Sequence, residues 1–326
     1  MISVKNNKPK TMSGAYTSVE DMLSLRYLAK DISLQTRATS SAIMDGDSRT
    51  RFRGRGMEFS EVRRYQPGDD VRNIDWRVTA RTQKPYTKLF QEEKERPVFL
   101  LIDQRASMFF GSSNVFKSVY AAQLACVISW AALANNDRIG ALLFSDTEQK
   151  DLRPRRGKHA VLNLIHELQT YNQKLTSPFT PESGLQINDM LLELRRIAKP
   201  GSAIYLISDF HDYEESCDES LSVLARHTDL SVINIYDKLE AHFPGKNQLT
   251  ISNGNNRLTV DTSSKAFRSE FADAFSKKIA ALRGACQRSG ITFASMDVST
   301  AIEERVRDTF ETKLSKKRQS VAMGNS

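Results

Sequence analysis

The feature that most constrains the fold is a continuous hydrophobic run that ends on an acid. Residues Val98 to Ile102 are all apolar and are followed directly by Asp103. A second such run, Ala203 to Ile207, is followed by Ser208 and Asp209. Strands buried on both faces of a parallel sheet have this uninterrupted composition, whereas strands with one face in water alternate. The sequence therefore predicts a parallel sheet covered by helices on both faces.

Helical segments separate the predicted strands. Helices are predicted at 115–134, 158–169, 187–198, 219–227, 264–289 and 301–314, and further strands at 138–144, 148–153, 230–236 and 291–296. Asn253-Gly254 predicts a hairpin between 248–251 and 257–260. Alternation of this kind predicts an α/β fold with a doubly wound, mainly parallel sheet and right-handed crossovers.

The front of the chain has a different character. Residues 1–14 are polar and lysine-rich, which is typical of a disordered segment. From Ser18, the expected N-cap, apolar residues recur at helical spacing, and residues 49–93 have the alternation of strands and turns. We predict four segments: a disordered N-terminus (1–14), a helix with a small β-rich segment packed on the sheet (15–96), the α/β domain (97–314) and a basic C-terminal tail (315–326).

The net charge of +8 is concentrated at the two ends of the chain. Residues 1–96 hold 19 Lys and Arg against 13 Asp and Glu, and residues 311–326 hold four against one. The sharpest cluster consists of Arg49, Arg51, Arg53, Arg55, Arg63 and Arg64. Such a patch suits nucleic acid, an anionic membrane surface or the acidic face of a protein. No aromatic platform accompanies it, so we favour a solvated surface or a protein face, with its first four arginines as partner-binding candidates.

Several classes of protein are disfavoured by missing motifs. No stretch approaches the ~20 apolar residues that span a bilayer, and the N-terminus lacks the apolar region of a signal peptide. Cys126, Cys217 and Cys286 are widely spaced, which favours buried thiols in a reducing, cytoplasmic interior. The chain has no P-loop, no HExxH and no GxSxG motif, so we expect no intrinsic catalysis.

A dense polar segment precedes the first buried strand. It contains the turn Pro67-Gly68-Asp69-Asp70, and acids and arginines alternate around one tryptophan. This pattern predicts a fixed network of desolvated ion pairs, for which a structural role is favoured over a catalytic carboxylate set. The proposed network consists of Arg64, Asp69, Asp70, Arg72, Asp75, Trp76 and Arg81.

This segment resembles the signature of the DUF58 family. The residues that carry the resemblance are Glu58-Phe59, Arg64-Tyr65, Pro67-Gly68-Asp69-Asp70, Arg72, Ile74-Asp75-Trp76, Ala80-Arg81 and Glu92. The resemblance implies a von Willebrand factor A-like domain and association with a MoxR-type AAA+ ATPase. The biochemistry of the family is largely undefined, so the resemblance implies a fold and a partner more directly than an activity.

The fold implied by the resemblance carries a metal ion–dependent adhesion site where the strands end. Its first loop has the pattern Asp-x-Ser-x-Ser, and later loops add a Thr and a second Asp. Here Asp103, Ser107 and Asp209 match, but Arg105 replaces the first Ser and Leu185 falls at the Thr position. We therefore expect a degenerate site with an Arg105–Asp103 or Arg105–Asp209 pair. Magnesium is expected to bind weakly or not at all, and no cofactor is expected.

Three functional hypotheses remain open. The first is a non-enzymatic scaffold or adaptor that works with a MoxR-type AAA+ ATPase in the assembly or chaperone-like maturation of other proteins. The second is a nucleic-acid-binding protein that uses the basic termini. The third is a metal-dependent binder or enzyme at the degenerate site. We favour the first because the chain lacks nucleotide, nucleophile and nucleic-acid-binding motifs.

Overall fold

The structure, a computed structural model, describes residues 14–30, 32, 34, 57–92, 96–174, 184–245, 248–252 and 257–310. The chain forms two compact units, one of residues 1–35 with 96–326 and one of residues 36–95. Three of the sequence predictions lie outside the described residues: the disordered N-terminus apart from Gly14, the basic tail, and the candidate contact residues Arg49, Arg51, Arg53 and Arg55.

Ten strands and ten α-helices are present in the described residues. The strands are β1 Met57–Arg64, β2 Tyr86–Glu92, β3 Pro97–Asp103, β4 Arg138–Phe144, β5 Gln149–Arg155, β6 Ala203–Ser208, β7 Asp229–Tyr236, β8 Gln248–Ser252, β9 Arg257–Asp261 and β10 Thr292–Asp297. The helices are α1 Val19–Ser24, α2 Arg26–Ala29, α3 Trp76–Thr82, α4 Lys117–Ala134, α5 Lys158–Lys174, α6 Ile187–Ile197, α7 Ser216–His227, α8 Lys238–Ala241, α9 Lys265–Arg288 and α10 Ile302–Thr309.

The larger unit is built on a six-stranded sheet with the order β10-β7-β6-β3-β4-β5. Five of these strands are mutually parallel, and the edge strand β5 is antiparallel to β4. The predicted hairpin is present as β8 paired with β9. The mixed α/β class with a mostly parallel sheet flanked by helices is therefore confirmed.

Side chains of the central strand β3 alternate between two hydrophobic cores. Leu100 and Ile102 belong to the core that contains α4 and α5, whereas Phe99 and Leu101 belong to the core that contains α6 and α7. This two-sided burial explains why the strand is apolar at every position.

Helix α4 is apolar nearly all round because it is enclosed by the larger unit. Among the described residues it is the one helix long and apolar enough to cross a membrane, and 89% of it is buried inside the protein. A core helix has the same composition as a membrane span, so length and apolarity do not separate the two.

The N-terminal helix α1 packs in the larger unit. Its N-cap Ser18 accepts a hydrogen bond from the Asp21 N–H, as predicted. The indole Nε1 of Trp130 in α4 donates to the Met22 carbonyl at 3.3 Å. The segment predicted as residues 15–96 is thus divided: α1 and α2 belong to the unit of the sheet, and residues 36–95 form the smaller unit.

The smaller unit contains an antiparallel hairpin of β1 and β2. Helix α3 follows β1 and precedes β2 in the chain, although the sequence predicted only strands and turns over residues 49–93. Asp75 is its N-cap, and its carboxylate accepts hydrogen bonds from the Arg77 and Val78 N–H groups at 3.1 and 3.2 Å. An aspartate before a run without proline or glycine was the signal for this helix start.

The expectation of desolvated ion pairs around Trp76 is wrong. Trp76 is 69% exposed, and Arg64, Arg72 and Arg81 are exposed. Asp70, like Asp75, uses its carboxylate on the backbone, where it accepts the Arg72 N–H at 2.9 Å. The ion pairs that the segment does make use other, partly exposed cations, Arg63 with Asp69 at 2.8 Å and Lys88 with Asp75 at 3.5 Å. Turn and cap hydrogen bonds to nearby N–H groups order the rest.

We predict that Asp75→Ala weakens the smaller unit only modestly, by the loss of one helix cap and of the pair with Lys88, which is 42% exposed. Arg81→Ala is the matched control, because an exposed arginine contributes little to stability. Urea unfolding followed by Trp76 fluorescence in a Trp130→Phe background measures both. If the smaller unit of either variant were unfolded without urea, the result would support the prediction of desolvated ion pairs.

Candidate functional site

An aspartate lies at the carboxyl end of every parallel strand. Within two residues of the ends of β3, β4, β6, β7 and β10 stand Asp103, Asp146, Asp209, Asp237 and Asp297. Parallel strands end at one edge of the sheet, which is where α/β proteins bind ligands. The edge therefore concentrates negative charge, and the chemistry of the site depends on how that charge is balanced.

Arg105 balances the charge at the end of β3. Its side chain is 3% exposed, and its Nη2 donates to Asp103 Oδ2 at 2.8 Å and to Asp212 Oδ1 at 2.9 Å. Its Nη1 donates to Asp212 Oδ2 at 2.6 Å. The predicted Arg105–Asp103 pair is confirmed, and Asp212 is a second partner that sequence reasoning did not identify. Burial opposes the charged guanidinium, but the two carboxylates outweigh it and raise the pKa of Arg105.

Lys117 balances the charge at the end of β6. Its side chain is 1% exposed, and its Nζ lies 2.7 Å from Asp209 Oδ2 and 2.5 Å from Glu240 Oε1. Burial disfavours the charge on both partners, but their mutual attraction prevails, so the pKa of Lys117 is raised and that of Asp209 is well below its usual range. The predicted alternative, an Arg105–Asp209 pair, is replaced by this lysine pair. We call the group of Asp103, Arg105, Lys117, Asp209, Asp212 and Glu240 the strand-end cluster.

The oxygens needed by a metal ion are already used. Both carboxylate oxygens of Asp103 accept hydrogen bonds, from Arg105 and from the Ser208 hydroxyl at 2.6 Å. Both oxygens of Asp209 also have partners, Lys117 and the His211 N–H. A divalent cation here would meet two buried positive charges, so the strand-end cluster does not fit Mg²⁺, and no chemical step is derived through a metal.

The two remaining sequence candidates, Ser107 and Leu185, lie beside the cluster. The Ser107 hydroxyl is buried and has no hydrogen-bond partner among the described residues. The Leu185 carbonyl accepts from Arg105 Nη1 at 3.2 Å, while its side chain packs against the core of α6 and α7. The Arg105 guanidinium thus contacts Asp103 and the Leu185 carbonyl, whereas Asp209 is bound by Lys117 instead.

His211 borders the strand-end cluster. Its Nδ1 lies 3.2 Å from Asp209 Oδ1 and 3.7 Å from Asp212 Oδ1. Burial favours the neutral ring, but the hydrogen bond and charge of Asp209 outweigh it and raise the pKa of His211. A raised pKa in the folded state means that protonation of His211 stabilises the fold. This contribution is complete below the unfolded pKa of about 6.5 and is lost as pH rises through the folded pKa.

We predict a matching pH dependence of stability. Thermal unfolding of the parent should show a falling Tm as pH rises above about 6.5, whereas His211→Gln should flatten that decline. His227→Gln, at an exposed histidine in the last turn of α7, is the control and should keep the parent's slope. Equal slopes in the parent and His211→Gln would show that the pair does not form in solution.

Comparison with known proteins places the chain in a family. The family described as "Protein of unknown function DUF58" matches residues 61–281, and the chain belongs to it. The uncharacterized protein Rv1480 of Mycobacterium tuberculosis is 26% identical over 246 residues, which are 75% of this chain and 76% of that protein. The uncharacterized protein YeaD of Bacillus subtilis is 39% identical over 51 residues, which are 16% of this chain and 13% of that protein.

Solved structures give a weaker likeness. BatB of Bacteroides thetaiotaomicron matches 69% of this chain and 99% of its own, with 16% identity and a TM-score of 0.38. An aerotolerance-related membrane protein of Bacteroides fragilis matches 66% and 98%, with 15% identity and the same TM-score of 0.38. Likeness at this level supports no conclusion about function.

Proposed function

We propose that this DUF58 protein is a non-enzymatic scaffold or adaptor with a von Willebrand A-type α/β unit, in which the chain's own cations replace the metal ion of an adhesion site. The observation that carries the proposal is the pairing of Asp103 with Arg105 and of Asp209 with Lys117. In a metal-dependent site these carboxylates would be shared with an ion and a ligand. Here Asp103 holds the arginine that follows it, and Asp209 holds the first residue of α4.

The electrostatics of the cluster favour a structural role over acid–base catalysis. A general base must have a pKa close to the working pH. The cationic partners instead hold the pKa of Asp209 and Asp212 below the ordinary range, with burial acting in the opposite direction. Carboxylates held in the charged form and already paired are poor proton acceptors, which supports a binding protein.

The proposed partner is a MoxR-type AAA+ ATPase, and the proposed location is the cytoplasm. The partner follows from the DUF58 resemblance, in which the signature segment is the most specific part. The arginine-rich stretch before β1 is the proposed contact, because a positive patch steers association with an acidic protein face.

Co-purification with a MoxR-type ATPase from the same genome tests the proposal. We expect a complex at low salt that weakens as salt screens the charges. The double variant Arg53→Glu/Arg55→Glu should weaken it, whereas Arg195→Glu/Arg226→Glu, with the same change of charge at exposed helix positions, should not. The absence of a complex at low salt would contradict the proposed partner, and equal effects of both variants would contradict the proposed contact.

A further inference from the structure

An open cavity of about 750 Å³ lies between the edge strand β5 and helix α5. It is lined by residues of β5, of the turn that follows β5 and of α5. Arg155 pairs with Ile139 near the start of β4, so this groove lies toward the amino ends of the parallel strands. It is therefore separate from the strand-end cluster at their carboxyl ends.

A β-bulge aims an arginine into the groove. Ala141 pairs with Leu152 and Ile139 pairs with Arg155, and the register shifts between the two pairs. Directly paired residues share a face of the sheet, and Ile139 and Ala141 both face the core of α4 and α5. Without the bulge, residues three apart would point to opposite faces. The bulge thus turns Arg155 to the side on which α5 lies.

The groove combines a cationic rim with an apolar floor. Arg155 of β5 and Arg156 of the turn that follows it supply the positive charge of the groove, whereas Asp151 and Arg153, each one residue from Leu152, point to the other face of the sheet. On the opposite wall, exposed His159, Asn163 and His166 recur at helical spacing along α5. Apolar side chains, among them Leu152 and Leu162, complete the lining. Polar groups spread over two walls suit an extended ligand with several charges more than one small anion.

Addition of a strand to the edge of the sheet is disfavoured. Proline has no N–H to donate, and Pro154 lies within β5. The bulge and the exposed charges of Lys150 and Arg153 also oppose pairing with another strand. A ligand in the groove would have to be recognised through side chains.

We propose that this groove binds an acidic segment of a partner protein that presents an apolar side chain between glutamates or aspartates. The carboxylates would meet Arg155 and Arg156, and the apolar side chain would lie between β5 and α5. Charge-assisted pairing with arginine gives such contacts strength and orientation. The proposal does not depend on the MoxR-type ATPase, because the groove is formed by the chain alone.

Fluorescence anisotropy with a labelled peptide tests the proposal. The probe is a peptide in which glutamates flank a central leucine, and its control has glutamine in place of glutamate. We expect saturable binding of the first peptide to the parent and at least tenfold weaker binding to Arg155→Glu/Arg156→Glu, because each reversal sets like charges together. The variant Arg195→Glu/Arg226→Glu has the same net charge and should bind as the parent does.

Other results would overturn the proposal. Equal binding by the two double variants would mean that net charge alone attracts the peptide. Equal binding of the glutamate and glutamine peptides would exclude recognition of acids. Binding of inorganic triphosphate without binding of the peptide would identify a small-anion site instead. Circular dichroism of both double variants shows whether they remain folded. If the peptide does not bind, the proposed complex with the ATPase is not affected, because it is tested separately.

Discussion

Replacing Lys117 with methionine is expected to lower the free energy of unfolding by about 3–5 kcal/mol, the usual cost of removing one member of a buried ion pair. Methionine keeps the length of the side chain, so the change isolates the charge. It leaves Asp209, whose side chain is 5% exposed, without its cation in the interior. Equilibrium urea unfolding of the larger unit, followed by Trp130 fluorescence, measures the effect.

Two variants make the Lys117 result specific. Lys174→Met removes a lysine that is 54% exposed and pairs with Glu148, and it should cost less than about 1 kcal/mol. Adding Asp209→Asn to Lys117→Met should recover part of the lost stability, since the uncompensated charge is then removed. If Lys117→Met had the same free energy of unfolding as the parent, another positive group would have to compensate the charge of Asp209.

Replacing Arg105 with methionine is expected to have an effect of similar size, again about 3–5 kcal/mol. Arg105 joins the loop after β3 to the loop after β6 through Asp103 and Asp212. Asp212 also accepts the Ile187 N–H at the start of α6 at 2.8 Å, so the loss extends to the start of that helix. Hydrogen exchange should show faster exchange at the start of α6 than in the parent.

Arg288→Met is the matched control for Arg105. Arg288 Nη2 lies 2.7 Å from Asp218 Oδ2, but the arginine side chain is 68% exposed. Solvent weakens such a pair, so its loss should cost less than about 1 kcal/mol. Equal destabilisation by Arg105→Met and Arg288→Met would show that burial does not strengthen the strand-end cluster.

The sheet could be predicted from the sequence because burial on two faces leaves a direct mark on composition. The apolar runs that end at Asp103 and Asp209 are β3 and the neighbouring β6. The parallel register then brings their acids to one edge. The Arg105–Asp103 pair could be predicted because the two residues are two apart in sequence and the arginine occupies a position that a metal site needs for oxygen.

The role of Lys117 could not be predicted in the same way. In the sequence it interrupts an apolar helix, and its partners Asp209 and Glu240 are 92 and 123 residues away. Only the three-dimensional structure shows that Lys117, at the start of α4, contacts Asp209 after β6 and Glu240 in α8. The error at Trp76 had the opposite origin: a dense local pattern of charges suggested buried ion pairs, whereas Asp70 and Asp75 cap short helices and Trp76 is exposed.

Calorimetric titration of the parent protein with Mg²⁺ tests most directly whether Arg105 and Lys117 take the place of a metal ion. The variant Arg105→Ser, which removes the cation beside Asp103 and supplies a hydroxyl in its place, serves as the comparison and should bind Mg²⁺ more tightly than the parent. We expect no saturable heat from the parent at millimolar Mg²⁺, because the carboxylate oxygens of Asp103 and Asp209 are already paired. Saturable binding with micromolar affinity in the unmodified protein would contradict this and establish a functional metal site.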